Sequence, residues 1–560
     1  MSGPRKPRRR GYSRRAFLKK AGLSSAAVGL LPMLPGCGHS DGLRSGGALE
    51  FRHGVASGDP LSDRVVLWTR ISGVASDATA TVDYVVARDP QLGDVVKHGS
   101  VQTSAQRDFT VKVDATGLQP ATTYYYRFHA GDLQSPIGRT RTLPVGSVDR
   151  LRIGVVSCAS LAHGYFNAYG RLAERADLDL IVHLGDYIYE YGSGQYGNLR
   201  AYEPEHEILT LDDYRTRYAQ YRGEAELQAM HRQHALINIW DDHETADNSW
   251  KDGAYNHNEG EGDWAVRVSG ALQAFYEWQP TRELDAGQPR KDYRSFQFGD
   301  LVQLTMLEER LLARDQQVPG VINLADTEIL LLPIGEVQNA DRQMIGSEQE
   351  AWLSGQLRQS PAKWKLIGQG VMFGQLKIAG LPNLLSGGVY VNPDQWDGYP
   401  AARGRVFDII DGGGTDAAID NVVVLTGDIH SSWCMDLTRD PNDPLAPLGG
   451  YNPLDGAGAV AVEFVCTSIT SPGLDSFAPI KPLIPVLNPH IKYSDFTRKG
   501  YLLLDITPQR VIGEHWYVDT ITQPSTTEAF GAAYQTADGD NHMSAAEQTS
   551  PRSDAPAFAP

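Results

Sequence analysis

The sequence predicts a mixed chain, α/β or α+β, with a small all-β unit ahead of a larger layered domain. Residues 50 to 145 contain short β-rich runs: RVVLWTR from Arg64, ATVDYVV from Ala80 and YYYRF from Tyr124. The turn-rich stretches SGDPLSD and GDLQSPIG separate such runs. Close spacing of short strands suggests an immunoglobulin-like sandwich over 50–145. From Leu151 to about residue 520 the pattern changes. Apolar runs such as LRIGVVSC, LDLIVHLGD, LVQLTML, WKLIGQGVMF and NVVVLTGDIH read as buried strands. Charge-patterned stretches between them, Leu211 to Arg232 and Ser347 to Gln359, read as helices. The chain has 560 residues, more than one domain of about 100–200 residues accounts for.

A net charge of −17 argues against duplex nucleic acid as a main partner, because binding a phosphate backbone needs a basic face. It leaves room for a phosphate ester held by metal ions, whose local charge outweighs the global one. Four cysteines, Cys37, Cys158, Cys434 and Cys466, are too few for a disulfide scaffold. Cys434 and Cys466 could pair outside the cytoplasm or stay as two buried thiols.

The N-terminus reads as an address. A basic stretch leads into Ser13-Arg14-Arg15-Ala16-Phe17-Leu18-Lys19, followed by apolar residues from Ala21 to Leu34. That stretch is shorter than the roughly 20 residues a spanning helix needs. It resembles a twin-arginine export signal, so the twin-arginine translocase is the expected partner and the protein is expected to be periplasmic or extracellular. Leu34-Pro35-Gly36-Cys37 resembles a lipobox. Cys37 is then either a lipidated first residue, the one expected membrane attachment, or a cysteine beside an ordinary cleavage point. At the other end, residues 521–560 are polar, Ala/Ser/Thr/Pro-rich and weakly periodic. They are expected to be a mostly disordered tail with a short helix near 527–534.

Unusual side chains follow several predicted strands. Ser157-Cys158 ends the first, Gly185-Asp186-Tyr187-Ile188-Tyr189-Glu190 the second, Trp240-Asp241-Asp242-His243-Glu244 the third, and Gly427-Asp428-Ile429-His430 the fourth. Singly, each has an ordinary explanation: a turn aspartate, a small buried thiol, a hydrogen-bonded Asp-His pair. Ligands bind beyond the carboxyl ends of strands, however, and a folded sheet can gather such loops at one edge.

The order of these segments resembles the metallophosphatase superfamily, with departures that match its PhoD-like alkaline phosphatase/phosphodiesterase branch. The resemblance covers about residues 50 to 520 and rests on FRHGVASGDP, LWTR, SCAS, HLGDYIYEYG, WDDHE, WDGYPAAR, LTGDIHSSW and NPHIKY. It implies an α+β architecture, an N-terminal β-sandwich (immunoglobulin/fibronectin-like) followed by a four-layered αββα metallophosphatase domain over 151–520. It also implies hydrolysis of a phosphate monoester or diester with Fe³⁺ and Ca²⁺. Cys158, Asp186, Tyr189 and His430 would be iron ligands, thiolate, phenolate and imidazole donors being suited to iron. Asp242 and Asp428, standing where Asn and His are usual, make the neighbouring position oxygen-rich, which suits calcium. Asp186 is the candidate bridge. His243 is the candidate leaving-group acid. Glu308 stands where the family pattern L-D-x-R has Asp, and no role is expected of it. The contrasting reading is a non-catalytic cell-envelope binding protein. An amide-cleaving zinc hydrolase is disfavoured because no H-E-x-x-H occurs.

Overall fold

The computed structural model describes residues 48–320, 322–324, 327–329, 331–332, 334–382, 387–444 and 450–560. The expected export signal and Cys37 lie outside the described residues. Among the described residues no helix is long and apolar enough to cross a membrane.

Two large sheets organise the chain. The first has ten strands, and its centre is the parallel set Leu151–Val156, Leu180–His183, Ala235–Asn238 and Val55–Gly58. The second has seven, centred on the parallel set Val302–Met306, Trp364–Gln369, Val422–Thr426 and Ala459–Val465. Strands such as Val422–Thr426 are buried along their whole length. Their unbroken apolar runs are what a parallel sheet covered on both faces requires.

Four layers result. Ile153, Val155, Val182 and Ile237 of the first sheet meet Leu304, Leu366, Val423 and Val462 of the second between the sheets. On the outer face of the first sheet, Ile181 and Leu236 pack against Tyr214, Tyr218, Leu272 and Phe275. These come from the helices Leu211–Arg222 and Trp264–Trp278. On the outer face of the second sheet, Ile367 and Val424 pack against Leu353, Leu357, Val406 and Phe407, from the helices Gly346–Gln359 and Pro400–Asp411. The stretch expected as helix from Leu211 to Arg232 is two helices, the second being Ala225–Gln233.

The all-β unit shares a sheet with the domain behind it. Val55–Gly58, Arg64–Arg70 and Thr110–Thr116 extend the ten-stranded sheet, with Ser57 paired to Ala235. Val82, Tyr126 and Phe128, from the separate sheet built on Thr79–Ala87 and Thr123–Ala130, cover Val65, Leu67 and Val111. Alternation in the sequence reports which residues face inward, but not which distant strand an edge will join.

The C-terminal segment corrects an expectation. Residues 527–534 do not form a helix: the strand Glu528–Ala537 pairs with Arg510–Val518, and Ser544–Ala546 adds one more strand. The remainder is pinned across the sheet. Thr549 donates to Glu514, Arg152 donates to Ser550 O at 3.0 Å, and Tyr125 donates to Ala557 O at 2.6 Å. Ala559 is buried, and its N–H donates to Gln233 at 3.0 Å. Backbone pairing holds the segment where apolar periodicity is weak, because an edge strand needs few buried side chains. Deleting residues 528–560 is expected to bare the Arg510–Val518 edge. Thermal melting should fall by at least about 5 °C and size exclusion should show aggregates; an unchanged melt with a monodisperse profile would refute this role.

Candidate metal centre

The parallel strands of both sheets end at one place, and the loops leaving them carry the chemistry. Cys158 follows Leu151–Val156, Asp186 follows Leu180–His183, Asp241 to Glu244 follow Ala235–Asn238, and Asp428 and His430 follow Val422–Thr426. Cys158, Asp186, Asp428 and His430 have φ values of 60°, 57°, 54° and 57°. These are left-handed conformations, unfavourable for residues with a Cβ and worth about 1–3 kcal/mol each unless the surroundings impose them.

The surroundings do impose them. Cys158 N donates to Gly185 O at 3.2 Å, and Ala159 N donates to Asp186 O at 2.9 Å. The Glu244 carboxylate accepts from the N–H groups of Asp186 at 3.1 Å, Tyr187 at 2.6 Å and Asp241 at 2.9 Å, tying two loops together. Gly185, at φ +99°, lies against Asp241, where a Cβ would collide with that residue's own Cβ.

Asp186 belongs to two groups of potential ligands, each with its donor atoms within 4.8 Å of one another. One is Cys158, Asp186 and His430; the other is Asp186, Asp242 and His243. A third group joins Asp241, Asp242 and Asp428. Tyr189 sits in the first: its hydroxyl donates to Asp186 Oδ2 at 2.9 Å, lies 3.2 Å from His430 Nε2, and accepts from Ser471 Oγ at 2.6 Å. The Cys158, Asp186, Tyr189, Asp242, Asp428, His430 and His243 side chains thus converge. His243 stacks on Tyr189 with ring centroids 4.1 Å apart, and its Nδ1 lies 2.7 Å from Glu190 Oε2.

The electrostatics show excess negative charge. Burial, followed by Asp186, pushes the Cys158 thiol well up, and burial and Asp186 also raise the Tyr189 phenol. Burial raises Asp186 strongly, and pushes Asp241 and Asp428 up to about 7 against the opposing pull of Arg310. For Asp242, burial is outweighed by Arg310 and His243, which hold its carboxyl low. His430 is kept neutral by burial and then by Lys499. Asp186 Oδ1, Asp241 Oδ2 and Asp242 Oδ1 are buried without hydrogen-bond partners. Unpartnered buried carboxylate oxygens are unfavourable unless a cation meets them. The donor set therefore fits metal ions, with sulfur, phenol and imidazole on one side of Asp186 and carboxylates on the other.

Several residues of the site were not anticipated. Arg310 is fully buried, and its guanidinium donates to Asp241, to both Asp394 oxygens at 3.0 and 2.9 Å, and to Asp428 Oδ1 at 3.0 Å. Gln395 donates to Asp428 Oδ2. Asp241 was visible in the Asp-Asp-His-Glu run, and Asp394 in the loop before Trp396. Arg310 gave no signal beyond standing two residues after Glu308. Glu308 has a role after all: it accepts from Trp240 Nε1 at 2.9 Å, Arg310 N at 3.0 Å and Leu311 N at 2.6 Å, shaping the turn that presents Arg310. Cys434 and Cys466 are free and buried. Their sulfurs lie 3.3 Å from His515 Nε2 and 3.1 Å from Val155 O respectively.

Comparisons with known proteins agree with this architecture. The PhoD-like phosphatase family model matches residues 153–515, and the model of the PhoD-like phosphatase N-terminal domain matches residues 38–144. The chain is 35% identical over 543 residues to alkaline phosphatase D of Bacillus subtilis (strain 168), covering 94% of this chain and 86% of that protein. A solved structure of PhoD superposes with a TM-score of 0.79 at 33% identity, covering 90% of this chain and 93% of the other. On these grounds the chain belongs to the PhoD-like phosphatase family and is a phosphoester hydrolase.

Proposed function

We propose that this phosphoester hydrolase is an exported metalloenzyme acting on phosphate monoesters, diesters or both, and holding Fe³⁺ beside Ca²⁺. The observation that carries the reading is the position of Asp186, shared between the Cys158–His430 group and the Asp242–His243 group. Cys158, Asp186, Tyr189 and His430 would hold iron; Asp186, Asp242 and Asp428 would hold calcium. When bound, such cations polarise phosphoryl oxygens and activate water for in-line attack on phosphorus.

The chain's own groups set the geometry of that reaction. Asp186 is fixed from behind by Glu244 and in front by the Tyr189 hydroxyl. Glu190 holds His243 at Nδ1, fixing the ring over Tyr189. His243 is then the acid for the departing alkoxide, with Glu190 as its orienting partner. Trp396 is buried and donates to Glu309 Oε1 at 2.9 Å, so its loop supports the floor of the site. Residues 549–559 bind at the opposite end of the first sheet, beside Arg150 and Arg152. The open side is that of Asp428 and His430, whose side chains are 15% and 16% exposed.

The test is elemental analysis of protein made through its own export route, wild type beside Cys158→Ala, with monoester and diester assays on both. Iron with calcium in the wild type, and loss of iron together with hydrolysis in the variant, is the expected result. Full hydrolysis by both proteins without bound metal would overturn the reading.

A further inference from the structure

Behind the loop that carries Asp186 lies a second polar site that hydrolysis does not use. Arg222 ends the helix Leu211–Arg222 and turns inward beneath the first sheet, where it is 0% exposed. Its guanidinium stacks over Trp68, 4.2 Å from the ring centroid. Nε, Nη1 and Nη2 make no hydrogen bond of ordinary geometry, and among the described residues no carboxylate forms an ion pair with the guanidinium. This differs from the fully buried Arg310 and Arg267, which are paired with acids.

The neighbouring groups are also unsatisfied. Gln279 is 0% exposed and neither of its amide atoms makes a hydrogen bond of ordinary geometry. Burial raises the Tyr187 phenol, and the charge of Arg222 with weak hydrogen bonds from Arg222 and Gln279 opposes it. That hydroxyl lies 2.8 Å from His231 Nε2, and the other ring nitrogen of His231, Nδ1, is unpartnered. Burial, reinforced by Arg222, keeps His231 neutral. The arginine is therefore the fixed charge of a buried, donor-rich cluster. An unpaired cation in a protein interior is unfavourable, and a row of open N–H donors adds to that.

We propose that Arg222 and Gln279 bind a small monovalent anion of the halide class, such as chloride, inside the protein beneath Tyr187. A halide matches the single charge, needs no hydrogen-bond donor of its own and accepts several N–H groups at once. Arg222 and Gln279 are both 0% exposed, so close packing around them favours a compact anion over a larger oxyanion. Because Tyr187 N and Asp186 N share the Glu244 carboxylate, an anion here supports the loop that holds Asp186 from the rear.

The test is thermal unfolding of the metal-loaded full chain in sodium chloride against sodium methanesulfonate, a non-chelating salt, at equal ionic strength. Chloride should raise the folding equilibrium constant about tenfold for each tenfold rise above its dissociation constant. For a chain of this length that is a rise in Tm of about 1–2 °C per decade of chloride above the dissociation constant. Arg222→Met should abolish the dependence, and Gln279→Leu, which keeps the arginine, should shift it to higher chloride. Crystals soaked in bromide should show an anomalous peak against the Arg222 guanidinium. Equal melting in the two salts, with only ordered water at that place in the bromide crystal, overturns the proposal. If Arg222→Met does not fold, the Gln279→Leu titration and the bromide map decide.

Discussion

Replacing Asp186 by asparagine is expected to lower kcat/KM by on the order of 10²–10³-fold, the scale on which a single catalytic-site group acts. The substitution keeps the shape of the side chain and an oxygen for the Tyr189 hydroxyl. It removes the charge that two groups of potential ligands share. The fold should not suffer. Burial already raises this carboxyl strongly and Asp242, Asp241 and Glu244 crowd it, so the metal-free variant should melt at or above the wild-type temperature. Stability gained where function is lost is the expected exchange at a site built from repelling charges. Elemental analysis, steady-state kinetics and a melt on the same preparation check all three statements. Unchanged turnover with full metal content would remove Asp186 from its bridging position.

Arg310→Met is expected to act in the opposite sense. It strips the one guanidinium that contacts Asp241, Asp394 and Asp428 together. Removing one partner of a buried ion-pair network costs about 3–5 kcal/mol, so chelator-treated protein should melt about 3–5 °C below wild type. Added calcium should recover much of the loss, because a ligand that binds only the folded state stabilises it increasingly as its concentration rises above the dissociation constant. A melt in chelator and a second in excess calcium distinguish this from simple damage to packing. An equal deficit in both would mean that Arg310 does not balance the charge of the metal pocket.

The parts of the site legible in the sequence share one property. Cys158, Asp186, Asp242, Asp428 and His430 each follow a run of apolar, β-branched residues by a few positions, and that placement together with the resemblance of their order to a known family marked them. Tyr189 came with Asp186, three residues away. Arg310 acts across the sheet, and nothing local distinguishes a buried arginine that meets Asp241, Asp242, Asp394 and Asp428 from one on a surface. The same limit applied to the fold. Parallel strands of the centre read clearly because both of their faces are apolar. The strand Glu528–Ala537 has mostly half-exposed residues and little buried surface, so composition pointed to a tail while backbone pairing made a strand. The junction near residue 150 read as a boundary because composition changes there, whereas the pairing of Ser57 with Ala235 crosses it.

That pairing also bears on when the molecule can fold as it is made. The strand Val55–Gly58 has its neighbour Ala235–Asn238 about 180 residues later in the chain. At a ribosomal pace of about 5–20 residues per second it waits roughly 10–35 s for it. The far edge of the same sheet closes only with Ser544–Ala546. The nascent chain therefore carries open strand edges through nearly all of translation, when they are most prone to wrong pairing. Holding factors that cover those edges should raise the yield of active protein more than any change of temperature, and a pulse-labelled synthesis followed by protease challenge would show protection appearing only after the last strand has left the ribosome.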